Sequence, residues 1–230
     1  MFNTPRAAVN FNDMLGGGDV VYRNLMFNTC RESGDHGAIN SWDRQPFSSD
    51  LRDGTPSFVP TPRNISYNFI ISNYGAGSGL DNDDGSSWYH VRKNVLYNSE
   101  GFKMDYGGHD SVYTENVVIS FPHKWSQHCI GFGEFFPFHG HQVINNTCIV
   151  SSKDKPIMYL GHCKTNPILT VKNQYYTPDG EATVECAEEP DPIPFQELQQ
   201  KYGLEIGSQL HHNPNRTHDV LDLVKRYLFS

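Results

Sequence analysis

One asparagine setting recurs along this chain: β-branched or aromatic residues stand shortly before it and more strand formers follow directly. It reads Val21-Tyr22-Arg23-Asn24-Leu25-Met26-Phe27, then Ile65-Ser66-Tyr67-Asn68-Phe69-Ile70-Ile71, then Val91-Arg92-Lys93-Asn94-Val95-Leu96-Tyr97. It returns in Tyr113-Thr114-Glu115-Asn116-Val117-Val118-Ile119, in Val143-Ile144-Asn145-Asn146-Thr147-Cys148-Ile149, and more loosely in Leu169-Thr170-Val171-Lys172-Asn173-Gln174-Tyr175. The asparagines are 44, 26, 22, 30 and 27 residues apart, and the first gap reads as two periods with one cassette blurred around Trp42. A repeat of this size builds a stack of like units, each burying its apolar face only against a neighbour.

The apolar stretches within each period are short, β-rich and bounded by Gly, Asn and Asp, which excludes helical repeats. A propeller blade needs about 40 residues, so the shorter period fits one turn of a parallel β-helix, an all-β solenoid. Each repeated asparagine is assigned to a bend between strands. There it is expected to take the left-handed conformation and to hydrogen-bond its amide to the equivalent asparagine of the next coil.

Composition agrees with short strands and many turns: 20 Gly, 14 Pro and 29 aromatics stand against 44 charged residues. A hydrophobic content of 37% excludes a solvating disordered chain, and no run approaches the roughly 18 to 20 apolar residues that span a bilayer. With 18 Lys and Arg and a net charge of -8, the chain lacks the basic stripe that binds nucleic acid. Cys30, Cys129, Cys148, Cys163 and Cys186 form no C-x-x-C pair and read mainly as small core residues rather than a disulfide framework. Asn64-Ile65-Ser66, Asn145-Asn146-Thr147 and Asn215-Arg216-Thr217 fit the glycosylation pattern, while the first residues carry no apolar signal segment.

The β-helix is expected over residues 1–187 and a capping segment with short helices over 188–230. Pro190, Pro192 and Pro194 break the regular pattern, Phe195 to Tyr202 closed by Gly203 reads as a short amphipathic helix, and Thr217 to Leu228 as a second.

Polar segments between the cassettes carry the candidate chemistry. If Ile39, Leu80 and Met104 point inward, alternation sends Asn40, Asp81 and Asp105 out of one face. With coils about 4.8 Å apart, carboxylates there reach the roughly 5 to 9.5 Å separations of glycosidase acid/base pairs. Self-repulsion then raises one pKa, making a general acid. Asp81, Asp83 and Asp105 are the candidate catalytic residues. Asp35, His36, Asn40, Arg44, Lys103 and His109 are candidates to orient substrate or tune those carboxylates, with Asp84 beside them. Trp42, Trp88, Tyr106 and Phe138 offer sugar-stacking faces. Asp-Asn-Asp-Asp-Gly at 81–85 also suits a tight turn or a Ca²⁺ loop, so Ca²⁺ is kept open and no other cofactor is expected. His123, His128, His139, His141 and His162 cluster without a recognised zinc spacing; Phe138-His139-Gly140-His141 is a candidate to bind a metal or to continue the cleft, and no metal ligand is assigned.

The blocks Asn12-Asp13 through Gly16-Gly17-Gly18, Ser33-Gly34-Asp35-His36-Gly37 with Asn40-Ser41-Trp42-Asp43-Arg44, Leu80-Asp81-Asn82-Asp83-Asp84-Gly85-Ser86, and Lys103-Met104-Asp105-Tyr106-Gly107-Gly108-His109-Asp110 carry a resemblance. Across about residues 1 to 185 the chain resembles the right-handed parallel β-helix proteins of the pectin-lyase-like superfamily, related to glycoside hydrolases and polysaccharide lyases. The Asn-Thr-Asp and Arg-Ile-Lys blocks of polygalacturonases are absent, with only Asp83-Asp84 echoing their Gly-Asp-Asp, and the Ca²⁺ and arginine motifs of pectate lyases are not found. The resemblance implies further coils ahead of residue 1, an extracellular or secretory-pathway location for the full protein, and a monomer acting on a polysaccharide or oligosaccharide. The expected activity is cleavage of glycosidic bonds by carboxylate acid/base catalysis. Non-catalytic glycan binding, a structural role, or β-elimination are the alternatives.

Overall fold

Runs such as Phe69–Asn73 and Val117–Ser120, with bulky apolar residues between polar corners, favour the extended backbone, and where burial alternates, as in Thr147–Val150, one face is left to bury. The computed structural model describes residues 1–12, 17–44, 51–57, 59–74, 77–121, 127–165 and 168–212, with Asp222 and Lys225. The helix expected over Thr217 to Leu228, the pattern Asn215-Arg216-Thr217, His123, and Asp13 and Gly16 of the first block lie outside the described residues, Asp222 and Lys225 apart.

A first strand β1 (Val9–Asn12) precedes six triplets. They are β2 (Val20–Tyr22), β3 (Leu25–Thr29), β4 (Ile39–Trp42); β5 (Arg63–Ser66), β6 (Phe69–Asn73), β7 (Ser78–Asn82); and β8 (Tyr89–Arg92), β9 (Val95–Tyr97), β10 (Glu100–Met104). Then come β11 (Val112–Thr114), β12 (Val117–Ser120), β13 (Ile130–Phe132); β14 (Gln142–Ile144), β15 (Thr147–Val150), β16 (Met158–Leu160); and β17 (Leu169–Val171), β18 (Gln174–Thr177), β19 (Thr183–Cys186). The chain goes on through β20 (Ile193–Pro194), α1 (Phe195–Tyr202) and β21 (Gln209–His212).

Each strand pairs in parallel with its counterpart in the neighbouring triplet, giving three sheets. The first members form a six-stranded sheet, β17-β14-β11-β8-β5-β2. The second members form a seven-stranded sheet, β21-β18-β15-β12-β9-β6-β3, and the third an eight-stranded sheet, β1-β4-β7-β10-β13-β16-β19-β20. Only β20 runs antiparallel to its neighbour among these pairs. Over residues 1–212 the described chain is therefore all-β, with α1 as its short helix and long parallel sheets, an arrangement compatible with a solenoid. Because β21 pairs with β18, strand pairing continues past the 187/188 boundary. No helix among the described residues is long and apolar enough to cross a membrane.

Parallel pairing puts identical corners above one another, and the asparagines use this. Asn68 donates its backbone N–H and its amide to Asn94 Oδ1, both at 2.9 Å, and Asn94 does the same to Asn116 Oδ1 at 2.9 and 3.0 Å. The pattern runs from Asn24 to Asn173. From Asn68 onward each amide also bonds a carbonyl of the preceding triplet, as Asn116 does to Val91 O at 3.0 Å. Asn173 ends the series on Ser208 Oγ at 2.8 Å and the buried Glu205 carboxylate at 3.1 Å.

Two expectations about this ladder are corrected. The left-handed residue is not the asparagine but the one before it: Arg23, Tyr67, Lys93, Glu115, Asn145 and Lys172 have φ between 53 and 58°. Those side chains lie at the surface or half-buried while the asparagine is turned inward, so the strain of about 1–3 kcal/mol per corner is offset by the amide's bonds. Nor does the gap of 44 residues hide a cassette. β3 pairs directly with β6, and much of the extra length is an insertion between β4 and β5, after Trp42, which itself ends β4.

The core runs along the stack through Met26, Ile65, Ile70, Leu80, Leu96, Tyr113, Phe132 and Leu160, all fully buried. Helix α1 covers its end with Phe195 and Leu198 and stops at Gly203, whose φ of 67° suits glycine. The cysteine reading is overturned as well. Cys129 is bonded to Cys148 and Cys163 to Cys186, leaving Cys30 as a buried thiol. Cys163 and Cys186 lie 23 residues apart, about one triplet, whereas Cys129 and Cys148, 19 apart, join the residue before β13 to β15 of the next triplet.

Asn116→Ala breaks bonds to Asn94, Asn146 and Val91 in the buried middle of the ladder. It is expected to destabilise the protein by about 2–4 kcal/mol in denaturant unfolding, against about 1 kcal/mol for Asn24→Ala at the half-exposed end. Equal losses at both positions would refute the ladder's cooperative role.

Candidate functional site

The outer face of the eight-stranded sheet carries the polar residues. Register places Asn10, Asn40, Asp81, Lys103, Gly131, Tyr159 and Glu185 in one row across it. Ile39, Leu80 and Phe102 form the row before, in the core. The expected alignment of Leu80 with Met104 is thus two residues off, and Asp81 faces Lys103 rather than Asp105. Alternation cannot detect this, because a slip of two residues leaves every side chain on its own face.

Lys103 Nζ is the meeting point. It lies 2.7 Å from Asp83 Oδ1, 3.3 Å from Asp81 Oδ1 and 3.8 Å from Asp105 Oδ2, so the structure brings together Asp81, Asp83, Asp105 and Lys103. The contact with Asp83 is a hydrogen bond, whereas Asp81 Oδ1 is buried without an aligned partner, an ion-pair contact only. Contacts this short to one nitrogen hold the Asp81 and Asp83 oxygens within about 6 Å of each other, and those of Asp83 and Asp105 within about 6.5 Å.

Burial sets the proton affinities. Asp81 is 5% exposed, and desolvation pushes its pKa up to about 7 although Lys103 pulls the other way. Asp105 is raised by the same cause, again against Lys103. Burial by itself would lower Lys103, but Asp81, Asp83 and Asp105 together hold it above the usual lysine value, so it stays protonated. Close packing of the backbone enforces the arrangement. A Cβ on Gly37 would sit 2.8 Å from Asp81 Cβ, and one on Gly133 would strike Asp105 Oδ1 at 1.9 Å.

A cavity of about 230 Å³ opens beside this group, lined by Lys103, Asp105, Gly131, Gly133, His128 and Tyr159 among others. Asp81 and Asp83 do not line it and sit behind Lys103. His128 and Tyr159 stack with ring centroids 6.2 Å apart; sequence reasoning missed both as wall residues, although Tyr159 shares the register row. On the other side, Arg44 pairs with Asp84 at 3.1 Å and lies 4.7 Å over the Trp42 ring. Asn40 donates to Asn10 Oδ1 at 2.8 Å, and its own Oδ1 is buried without a hydrogen-bond partner. His36 contacts Ser33 Oγ at 2.5 Å and the Arg6 guanidinium; burial and then Arg6 lower its pKa. Asp35 stays exposed and is felt only through its charge at His36 and Asp81.

Trp88 and His109 belong to a different group. Trp88 meets His109 edge-on at 5.0 Å, and His109 joins Asp110, Phe136 and His139. Tyr106 and Phe138 are exposed, with Phe138 against Gly54 of the insertion. No family model, no curated protein and no solved structure matches this chain.

The raised pKa of Asp81 makes a pH prediction. Between about pH 4 and pH 7 the folded chain holds a proton at Asp81 that the unfolded chain has released, so stability falls as pH rises and levels off above 7. The slope approaches about 1.4 kcal/mol per pH unit in mid-window. Asp81→Asn removes that contribution, so urea unfolding from pH 4.5 to 8 should show a flatter profile; identical slopes in both proteins would sink the assignment.

Proposed function

We propose that the three sheets close into a right-handed parallel β-helix of the pectin-lyase-like kind that cleaves glycosidic bonds of an extracellular polysaccharide. The hand follows from the strong preference of parallel crossovers, and the three-sheet parallel register supports the fold. The observation that carries the activity is the group of three carboxylates on one ammonium beside an open cavity. In this reading Asp105, raised by burial and lining the cavity, protonates the leaving oxygen as general acid. Asp83, hydrogen-bonded by Lys103 and outside the cavity lining, is the second carboxylate for a substrate that extends past Lys103 along the sheet, and Asp81 beside it adjusts their charge. An upper bound of about 6.5 Å on the Asp83–Asp105 oxygen separation admits the ~5–5.5 Å of retaining pairs and excludes most of the ~6.5–9.5 Å range of inverting pairs.

Lys103, held protonated by its three partners, is poorly placed to take a proton, which speaks against it as the base of a β-elimination. The two disulfides fit an oxidising, extracellular setting, and Asn145 of one glycosylation pattern is exposed. At about 230 Å³ the cavity is smaller than the ~300 Å³ at which pockets for drug-sized ligands begin, so a polysaccharide would lie across it rather than be enclosed by it.

A reducing-end assay across a panel of polysaccharides tests the reading. Asp105→Asn and Asp83→Asn are each expected to lose about a hundredfold or more in rate while keeping the thermal midpoint within a few degrees. Ultraviolet absorbance from an unsaturated product would assign elimination. Glycan binding without new reducing ends would leave the non-catalytic reading, and neither binding nor cleavage would reject both.

A further inference from the structure

His109, Asp110 and His139 meet on the corner loops that lead from the eight-stranded sheet into the six-stranded one. His109 Nδ1 and His139 Nδ1 lie 2.9 and 2.6 Å from the same atom, Asp110 Oδ2. All three donor atoms fall within 4.8 Å of one another. The imidazoles are 4.4 Å apart and tilted by 44°, so they converge on one point instead of stacking flat. His109 is fully buried, with Trp88 edge-on at 5.0 Å and Phe136 stacked at 5.2 Å. The Asp110 side chain is 37% exposed and forms the open side.

We infer that this triad is a binding site for a divalent transition-metal ion of the Zn²⁺ class, held by the two Nδ1 atoms and the Asp110 carboxylate, with its fourth position facing solvent past Asp110. Two imidazoles and one carboxylate suit Zn²⁺ and its neighbours, whereas Ca²⁺ and Mg²⁺ take oxygen ligands. Three protein donors with one free position is the coordination of an accessible zinc site. At bond lengths of about 2.0–2.1 Å, tetrahedral donors stand about 3.3 Å apart, so the two histidine–Asp110 spacings of 2.9 and 2.6 Å need to open by about 0.4 and 0.7 Å.

The backbone has set these groups in advance. His109 N–H donates to Ser87 Oγ at 3.2 Å, Asp110 N–H to Gly140 O at 2.9 Å, and Trp88 N–H to His109 O at 3.1 Å. Loops from three successive triplets are thereby joined. Asp110 and Phe138 hold left-handed conformations at φ 52 and 70°, strain that non-glycine residues keep where surroundings over-determine them. Gly108 permits the approach, since a Cβ there would lie 2.6 Å from Ser86 O. His141 is not part of the site: its Nδ1 accepts from Ser111 N–H, and its ring packs on Phe132 and Tyr113 in the core. The inference does not rest on the carbohydrate reading.

The test uses the full chain without an affinity tag, stripped of metal by a chelator and titrated with Zn²⁺ by calorimetry and with Co²⁺ by visible absorption. One saturable site per chain is expected, with intense four-coordinate Co²⁺ bands, no thiolate charge-transfer band, and a higher melting temperature with Zn²⁺. His139→Gln and Asp110→Asn should abolish the site, while the double change His211→Ala and His212→Ala, which removes the adjacent histidines of β21, should keep it. No saturable site in the unaltered chain, a site that survives His139→Gln and Asp110→Asn, or one lost with His211 and His212 overturns the proposal. Because the Co²⁺ spectrum needs no variant, weak six-coordinate bands overturn it even where a substituted chain does not fold.

Discussion

The parallel stacking of the six triplets depends on amide groups that recur once in each. A buried asparagine at one corner accepts two hydrogen bonds from the corner of the preceding triplet and returns a third to that triplet's backbone. These bonds fix the axial position of each triplet against the next, and parallel register in all three sheets follows from that alignment. Without it the strands are short, three to five residues in the triplets, and one strand pair contributes too little to choose between neighbouring registers.

Register in turn creates the chemistry. Asp81 and Asp83 come from β7 and its end, Asp105 from the end of β10, and the three carboxylates share Lys103 because β7 and β10 are aligned with Asp81 against Lys103. Lys103 reduces the mutual repulsion of the carboxylates, and burial raises two of them. The same alignment brings His139 over His109 one triplet below, at the 30-residue spacing that also separates Asn116 from Asn146. Two polar groups on one side of the molecule are therefore products of a single structural period.

Much of this was legible in the order of residues. The asparagine settings locate the corners because a buried amide needs the same neighbour at each level, and α1 is marked by its amphipathic run and by Gly203. Other features were hidden for definite reasons. A slip of two residues conserves alternation, so Asp105 was aligned where Lys103 belongs. The left-handed residues before the asparagines have no common side chain, as Arg23, Tyr67 and Glu115 illustrate. The Cys163–Cys186 bond and the meeting of His109 with His139 join residues one period apart, a relation that local spacing rules do not consider.

The unequal lengths of the triplets have a consequence for how such a chain tolerates change. Successive asparagines lie 44, 26, 22, 30 and 27 residues apart, yet each makes the same bonds. Length added in one loop is cancelled at the next corner and does not accumulate as a phase error along the stack. Since closing a longer loop costs only about 0.6 kcal/mol per doubling, the corners beside the carboxylates and histidines are free to gain or lose residues independently. A molecule built in this way can remodel its surface one level at a time while its interior keeps time.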